Sequence, residues 1–166
     1  MVFVRRVRGH DDDAVRIVQE AAFGQPDEAA LVRALQRCGA ALERLCFVAE
    51  LDGVVVGHVM CSAGSINGRP AVGLAPIGVL PAHQRSGAGS ALMHAVLGAA
   101  DATDEPLVAL LGDPGYYGRF GFVEGARVGV LPPEPAWGAH FQVRPLSAFD
   151  TSWQGTFRYA APFDEL

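Results

Sequence analysis

The chain has 166 residues, half of them apolar and 19% charged, with a formal net charge of −5. That length suits one domain, read here as residues 1–166, with enough chain to bury a core, and the composition excludes wholesale disorder. All 13 cationic residues are arginines, which removes a Schiff-base lysine, a phosphate-loop lysine and a lysine base, and the acidic balance without a basic cluster argues against a nucleic-acid partner.

Met1 to Val4 places apolar residues ahead of Arg5 and Arg6, the reverse of a signal peptide. No apolar run approaches the ~20 residues of a membrane span, so a cytoplasmic location without membrane contact is expected. Val2 to Arg8 reads as a first strand. His10-Asp11-Asp12-Asp13 puts acids at the positive end of a coming helix, whose stripe is Val15, Val18, Ala22 and Phe23. After Gly24-Gln25, Pro26-Asp27-Glu28 opens a second helix with Ala30, Leu31, Ala34 and Leu35 as its apolar face. Leu45 to Leu51 and Val54 to Cys61 flank Asp52-Gly53, a strong hairpin signal. Cys38, Cys46 and Cys61 suit neither a disulfide framework nor a zinc site; they read as buried small hydrophobes, and no metal is expected.

Ser62 to Arg69 reads as turn-rich, and Ala71 to Leu80 as a further strand. Pro76 removes a ladder donor there, so this strand should lie at an edge or part from a neighbour near that point. Gly87 to Ala100 is an Ala- and Leu-rich helix, Leu107 to Leu111 an apolar strand, and Tyr116 to Phe120 a short helical piece. Residues 126–138 read as a loop, with late strands at His140–Pro145 and Thr156–Tyr159. The order predicts an α+β fold, a mixed sheet with helices on its faces.

Leu80 to Leu92 carries the most chemistry. A strand ends and a helix begins inside a Gly-rich turn, where free N–H groups and the helix dipole favour an anion. Gly87 and Gly89 admit a phosphate without a Cβ in its way, and Arg85 adds a charged donor. A Walker loop is excluded because there is no lysine, and a dinucleotide fingerprint fails at Leu92. Gln84-Arg85-Ser86-Gly87-Ala88-Gly89 fits Gln/Arg-x-x-Gly-x-Gly/Ala at every position, although an ordinary strand-to-helix turn can show the same six residues.

Together with Gly73 to Pro81, Glu28 to Val32, Val48 to Glu50 and Gly57 to Val59, and above all Leu111-Gly112-Asp113-Pro114-Gly115-Tyr116-Tyr117-Gly118-Arg119-Phe120-Gly121-Phe122, this loop resembles the GNAT superfamily of N-acetyltransferases, in its YhbS-like branch, over nearly the whole chain. The resemblance implies a mostly antiparallel central sheet, splayed at the cofactor strand and flanked by helices. It implies acetyl-CoA as co-substrate and direct acetyl transfer to an amine in a ternary complex. Gln84, Arg85, Ser86, Gly87, Ala88, Gly89 and Ser90 would hold the pyrophosphate, with Ile77, Gly78 and Val79 along the pantetheine arm, Tyr116 as a packing or cofactor contact, and Tyr117 as general acid. Histone-type relatives carry a glutamate eleven residues before the loop glutamine; here that position is Gly73. Asp113 is the candidate base, with a helix N-cap as its competing role; Glu50 reads as a solvated turn residue, His58 as a half-buried strand residue and His83 as an exposed loop residue. Trp137, Phe141, Phe149, Trp153, Phe157, Tyr159 and Phe163 read mainly as core, with a few left to line an acceptor pocket. Gly73 and Gly78 offer room for a longer acyl donor. The rival class is a non-catalytic acyl-CoA-binding or sensing domain; homodimerisation and the acceptor's identity are left open.

Overall fold

The computed structural model describes residues 1–165. Its strands are β1 (Val2–Arg6), β2 (Phe47–Leu51), β3 (Val54–Ile66), β4 (Arg69–Val79), β5 (Leu107–Leu111), β6 (Val123–Glu124), β7 (Val130–Leu131), β8 (Phe141–Pro145) and β9 (Gly155–Arg158). The α-helices are α1 (Asp12–Phe23), α2 (Asp27–Arg37), α3 (Ala88–Ala102) and α4 (Pro114–Tyr117). Strand order is β1-β2-β3-β4-β5-β8-β6, with β9 paired to the far end of β3 and carrying β7. Along that main path every pairing is antiparallel except β4 with β5. The mixed α/β architecture with helices on the sheet is as expected.

Side chains alternate across the sheet and sort the helices to its two faces. Cys46, Val48 and Met60 pack with Val15, Leu31, Val32 and Leu35 of α1 and α2. Phe47, Ala49, Val59 and Cys61 face the other way, onto Leu92, Met93, Val96 and Ala100 of α3. Helix α1 buries Val15, Val18 and Gln19, while Phe23 from the expected stripe is exposed; α2 buries Ala29 and Val32 in place of Ala30.

Several expectations need correction. The Ser62–Arg69 stretch is two strands around a two-residue turn, Asn67-Gly68, both at positive φ (49° and 76°), the hairpin geometry that Asp52-Gly53 also adopts. Its Ser, Ala and Gly residues look like loop, but cross-strand pairing to β4 and β9 holds them extended. Strand β4 is interior, not an edge; it does part from a neighbour, which was the other branch of that expectation. Cys46 and Cys61 are buried but Cys38 is exposed. The presumed loop at 126–138 contains β7 and 3-10 turns.

A polar layer lies between α1 and the sheet. Arg5 donates to both carboxylate oxygens of Asp11 (2.8 and 2.9 Å) and to Glu50 (2.7 Å), so Glu50 is an ion-pair partner rather than a solvated turn residue. Arg5 holds the Asp11 carboxyl down to about 2, against the opposing effect of burial. His58 is fully buried, not half-buried, with Nδ1 2.7 Å from Gln19 Nε2. Burial pushes its imidazole down to about 4 from 6.5, with the Asp11 charge opposing.

The sign follows from which state binds the proton. Between pH 6.5 and 4 the unfolded chain protonates at His58 and the folded chain does not, so stability is full above 6.5 and falls as the pH drops. Asp11 adds a second loss below 3.8, complete near 2. Urea unfolding at pH 7.5 and at pH 4.5 should show a loss of about 2 to 3 kcal/mol from His58. In His58→Leu that part of the pH slope should vanish, whatever the variant's absolute stability.

Candidate functional site

The site grows out of one interruption in the sheet. Strand β4 pairs with β5 only at Val72–Val108 and Gly73–Ala109. Beyond Gly73 the two separate, although β4 stays paired to β3 as far as Val79 and β5 stays paired to β8 along its whole length. Opposite Met60 the β4 strand carries one extra residue at Ala75-Pro76, a bulge that redirects it, and Pro76 has no N–H to offer a neighbour. Backbone polar groups along Ala75–Val79 and Leu110–Leu111 therefore line a wedge-shaped slot inside the sheet.

One end of the slot opens into a cleft of about 550 Å³ lined by Val79, Gln84, Arg85, Gly87, Gly89, Ser90, Tyr116 and Arg119. Helix α3 begins here with Gly87 at φ 90° as its N-cap; Arg85 also has positive φ (61°). This reversal turns the loop so that the α3 N-terminus faces the cleft. The first-turn amides lack a strong side-chain cap: the Ala88 N–H donates only weakly to Ser86 Oγ, at 3.4 Å. Gly89 sits against the Tyr116 hydroxyl, where a Cβ would lie 3.1 Å from that oxygen. Arg119 lies over the Tyr116 ring, 4.8 Å from its centroid, and its Nε donates to the Tyr116 carbonyl. The cleft thus holds two guanidinium groups, a helix N-terminus and, among the described residues, no carboxylate, a donor set that fits a polyanion such as a pyrophosphate.

The other end opens into a pocket of about 480 Å³ walled by Phe23, Leu31, Ile77, Leu111, Trp137, Tyr159 and Phe163, with Tyr117 and Glu28 as its polar members besides. The two tyrosines, consecutive on α4, touch edge-on, 4.9 Å between centroids, Tyr116 lining the cleft and Tyr117 the pocket. Tyr117 packs its ring against Gly112, where a side chain would collide with it. Burial first, then the Tyr116 and Asp113 charges, push its hydroxyl up to about 12.

The residues singled out from the sequence distribute as follows. Val79, Gln84, Arg85, Gly87, Gly89, Ser90 and Tyr116 converge on the first cleft, and Ile77 and Tyr117 on the second. Ser86 makes only the weak contact from the Ala88 N–H, and Ala88 is buried. Gly78 is packed under α1: a Cβ there would lie 2.8 Å from Gln19 Oε1 and 2.9 Å from Ala22. Gly73 is covered by the Tyr159 and Phe157 rings. Neither glycine leaves free space, so the room foreseen for a longer acyl donor is filled by side chains. Asp113 is the N-cap of α4, its Oδ1 accepting from the Gly115 N–H at 2.9 Å. His83 is half-buried. Of the late aromatics, Trp137, Tyr159 and Phe163 reach the pocket, while Phe141, Trp153 and Phe157 are core. Arg119 and Glu28 were not foreseen. The signal for Arg119 is its spacing: three residues after Tyr116 on a helical turn puts the two side by side. No local pattern marks Glu28.

Residues 13–122 match the acetyltransferase (GNAT) family. Over 116 residues the chain is 32% identical to an uncharacterised N-acetyltransferase of Escherichia coli strain K12, YjhQ. That match takes in 68% of this chain and 64% of the relative, so the likeness spans just under two thirds of its length. Among solved structures, the E. coli GNAT family N-acetyltransferase YhbS, in complex with CoA, superposes with a TM-score of 0.91 at 27% identity, over 98% of this chain and 92% of that one. A GNAT family acetyltransferase from Brucella melitensis, in complex with acetyl-CoA, gives 0.81 at 33% identity and 99% of both chains.

The packing of Tyr117 on Gly112 is open to direct test. Gly112→Ala should destabilise the protein by about 1 to 3 kcal/mol, as an overpacked contact does. It should also shift the near-ultraviolet circular dichroism of the Tyr116–Tyr117 pair; an unchanged spectrum and stability would mean the ring is free to move.

Proposed function

The chain belongs to the acetyltransferase (GNAT) family, and from that premise we propose that it is an N-acetyltransferase moving the acetyl group of acetyl-CoA directly to an amine. One observation carries the reading: the polyanion-binding cleft and the pocket holding Tyr117 are the two ends of a single slot between β4 and β5. Such a slot lets a long donor lie with its phosphates at α3 and its acyl end beside Tyr117. The CoA and acetyl-CoA complexes of the two relatives support a donor of that kind.

On this reading the N–H groups of Arg85–Ser90 and the Arg85 guanidinium take pyrophosphate oxygens, and Arg119 joins them. Gln84 steadies the loop by donating to the Val79 carbonyl at 3.4 Å. The open edge of Ile77, Gly78 and Val79 offers strand-like hydrogen bonds to the pantetheine arm, and an N–H near Val79 faces the thioester carbonyl as its oxygen gains charge.

The amine first gives up one proton to solvent, because its lone pair makes the new bond. It then attacks the thioester carbon: a C–N bond forms, the C–S bond breaks, and the sulfur leaves with the electron pair. Tyr117 donates its hydroxyl proton to that sulfur and recovers one from the nitrogen as the amide forms. Products are the N-acetyl amine, CoA thiol and the one proton released at the start. Because the Tyr117 hydroxyl is held up near 12, it stays protonated through the neutral and mildly alkaline range, as an acid must. We assign Asp113 to fixing α4, and hence Tyr117, since its carboxylate is committed to the Gly115 N–H.

Titration calorimetry should find acetyl-CoA bound, with NAD and ATP much weaker. Ser90→Glu, which puts a carboxylate into the cleft, should weaken acetyl-CoA binding at least tenfold. Arg119→Ala should weaken it by roughly tenfold, the value of one charge-assisted contact. Absence of acetyl-CoA binding by the unaltered protein would end the acetyltransferase reading. Tyr117→Phe should lower kcat by about a hundredfold while leaving the acetyl-CoA KM within about twofold. With Tyr117 in place, kcat should rise with pH as the amine deprotonates and show no fall from Tyr117 below about pH 11.

A further inference from the structure

The pocket beyond Tyr117 also specifies a kind of acceptor. Two of its wall residues, Phe23 and Leu111, are large apolar side chains 43% and 47% exposed, in a concave site where water gains little by contact with them. Trp137, Tyr159 and Phe163 close the opposite side with aromatic faces; the Tyr159 and Phe163 rings stand 4.7 Å apart and the Trp137 and Tyr159 rings 6.2 Å. The single charged group among the lining residues is Glu28, in the first turn of α2, and Gln25 donates to both its oxygens (3.0 and 3.2 Å), holding it at the pocket's edge.

Resting on the acetyltransferase reading above, we propose that the acceptor is a primary monoamine on an apolar body the size of one aromatic ring. Its ammonium is drawn in by Glu28 and its body is seated against Phe23, Leu111 and the Tyr159–Phe163 pair. Volume and charge decide this together. A pocket of about 480 Å³ falls within the range of small-molecule sites. A polyamine or an aminoglycoside carries several cations, each needing a carboxylate or water on binding, and this wall supplies one carboxylate among uncharged residues. Gly73 strengthens the point. A carboxylate on β4 could have stood there, but the Tyr159 ring fills the space, with carbons 3.1 and 3.2 Å from where a Cβ would sit. Glu28 binds the cation that arrives; the nitrogen loses its proton to solvent before it attacks, and the bond changes are those given above.

The experiment follows CoA thiol release at saturating acetyl-CoA with three probes: 2-phenylethylamine, methylamine and spermidine. The expected kcat/KM for 2-phenylethylamine exceeds both others at least tenfold. Glu28→Gln, isosteric and on a solvent-facing turn, should raise the KM for 2-phenylethylamine about tenfold and leave the acetyl-CoA KM within twofold. Phe23→Ala should raise the same KM by a larger factor than it raises the KM for methylamine. Equal or better turnover of spermidine or methylamine would overturn the proposal, as would acetyl-CoA binding in the calorimeter with no turnover of 2-phenylethylamine. Both leave the donor site standing. Failure to bind acetyl-CoA at all strikes instead at the reading beneath it.

Discussion

Everything distinctive about this molecule depends on two parallel strands that stop pairing after two residues. A sheet interrupted in its middle leaves N–H and C=O groups unmatched, and such groups are costly unless something else meets them. The interruption is held open from both sides. Strand β3 grips β4 past the bulge at Ala75-Pro76, and β8 grips β5 throughout, so neither strand can drift across to close the gap. The core follows the same division: α3 and its apolar cluster brace one face, α1 and α2 the other, and the β8–β9 cluster the far end. The slot is a consequence of where the ladders are strong.

The slot has electrostatic polarity that the net charge conceals. A chain of formal charge −5 would repel an anionic cofactor at long range, yet the cleft at α3 is lined by Arg85, Arg119 and a helix N-terminus, without a carboxylate among the described residues. The opposite mouth has Glu28 and no cation. A phosphate-bearing donor and a cationic acceptor would therefore be drawn to different ends and meet in between. Tyr116 and Tyr117 stand at that meeting point, one toward each end, in mutual contact.

How much of this was readable in advance depends on how local each feature is. The Gly-rich turn into α3 was legible because its requirements are local: glycine where φ is positive and a helix starting at once. The parting of β4 was half legible. Pro76 announced a missing ladder bond, but whether that meant an edge or a gap depended on β5 and β8, supplied thirty and more residues later. The pocket beside Tyr117 was hidden for the same reason. Phe23 and Glu28 flank the first interhelical turn, Leu111 ends β5, and Trp137, Tyr159 and Phe163 come from the last thirty residues. No spacing rule links them. His58 misled in another way, since a histidine alternating with apolar strand residues reads as half-buried until Gln19 is seen to partner it across α1 and β3.

Gly73 shows why the missing carboxylate matters more than a lost base. A glutamate at that point on β4 would project where the Tyr159 ring now lies, and the two cannot share the space. The chain has exchanged an ionisable group for an aromatic wall, and the exchange changes two things together. In the proposed reaction, deprotonation of the acceptor falls to solvent. Tyr159 adds an aromatic ring to the pocket wall, which favours acceptors that gain by leaving water. Both consequences come from one glycine and one tyrosine eighty-six residues apart, so the acceptor's character belongs to the packing of β9's end against β4 as much as to the donor-binding loop.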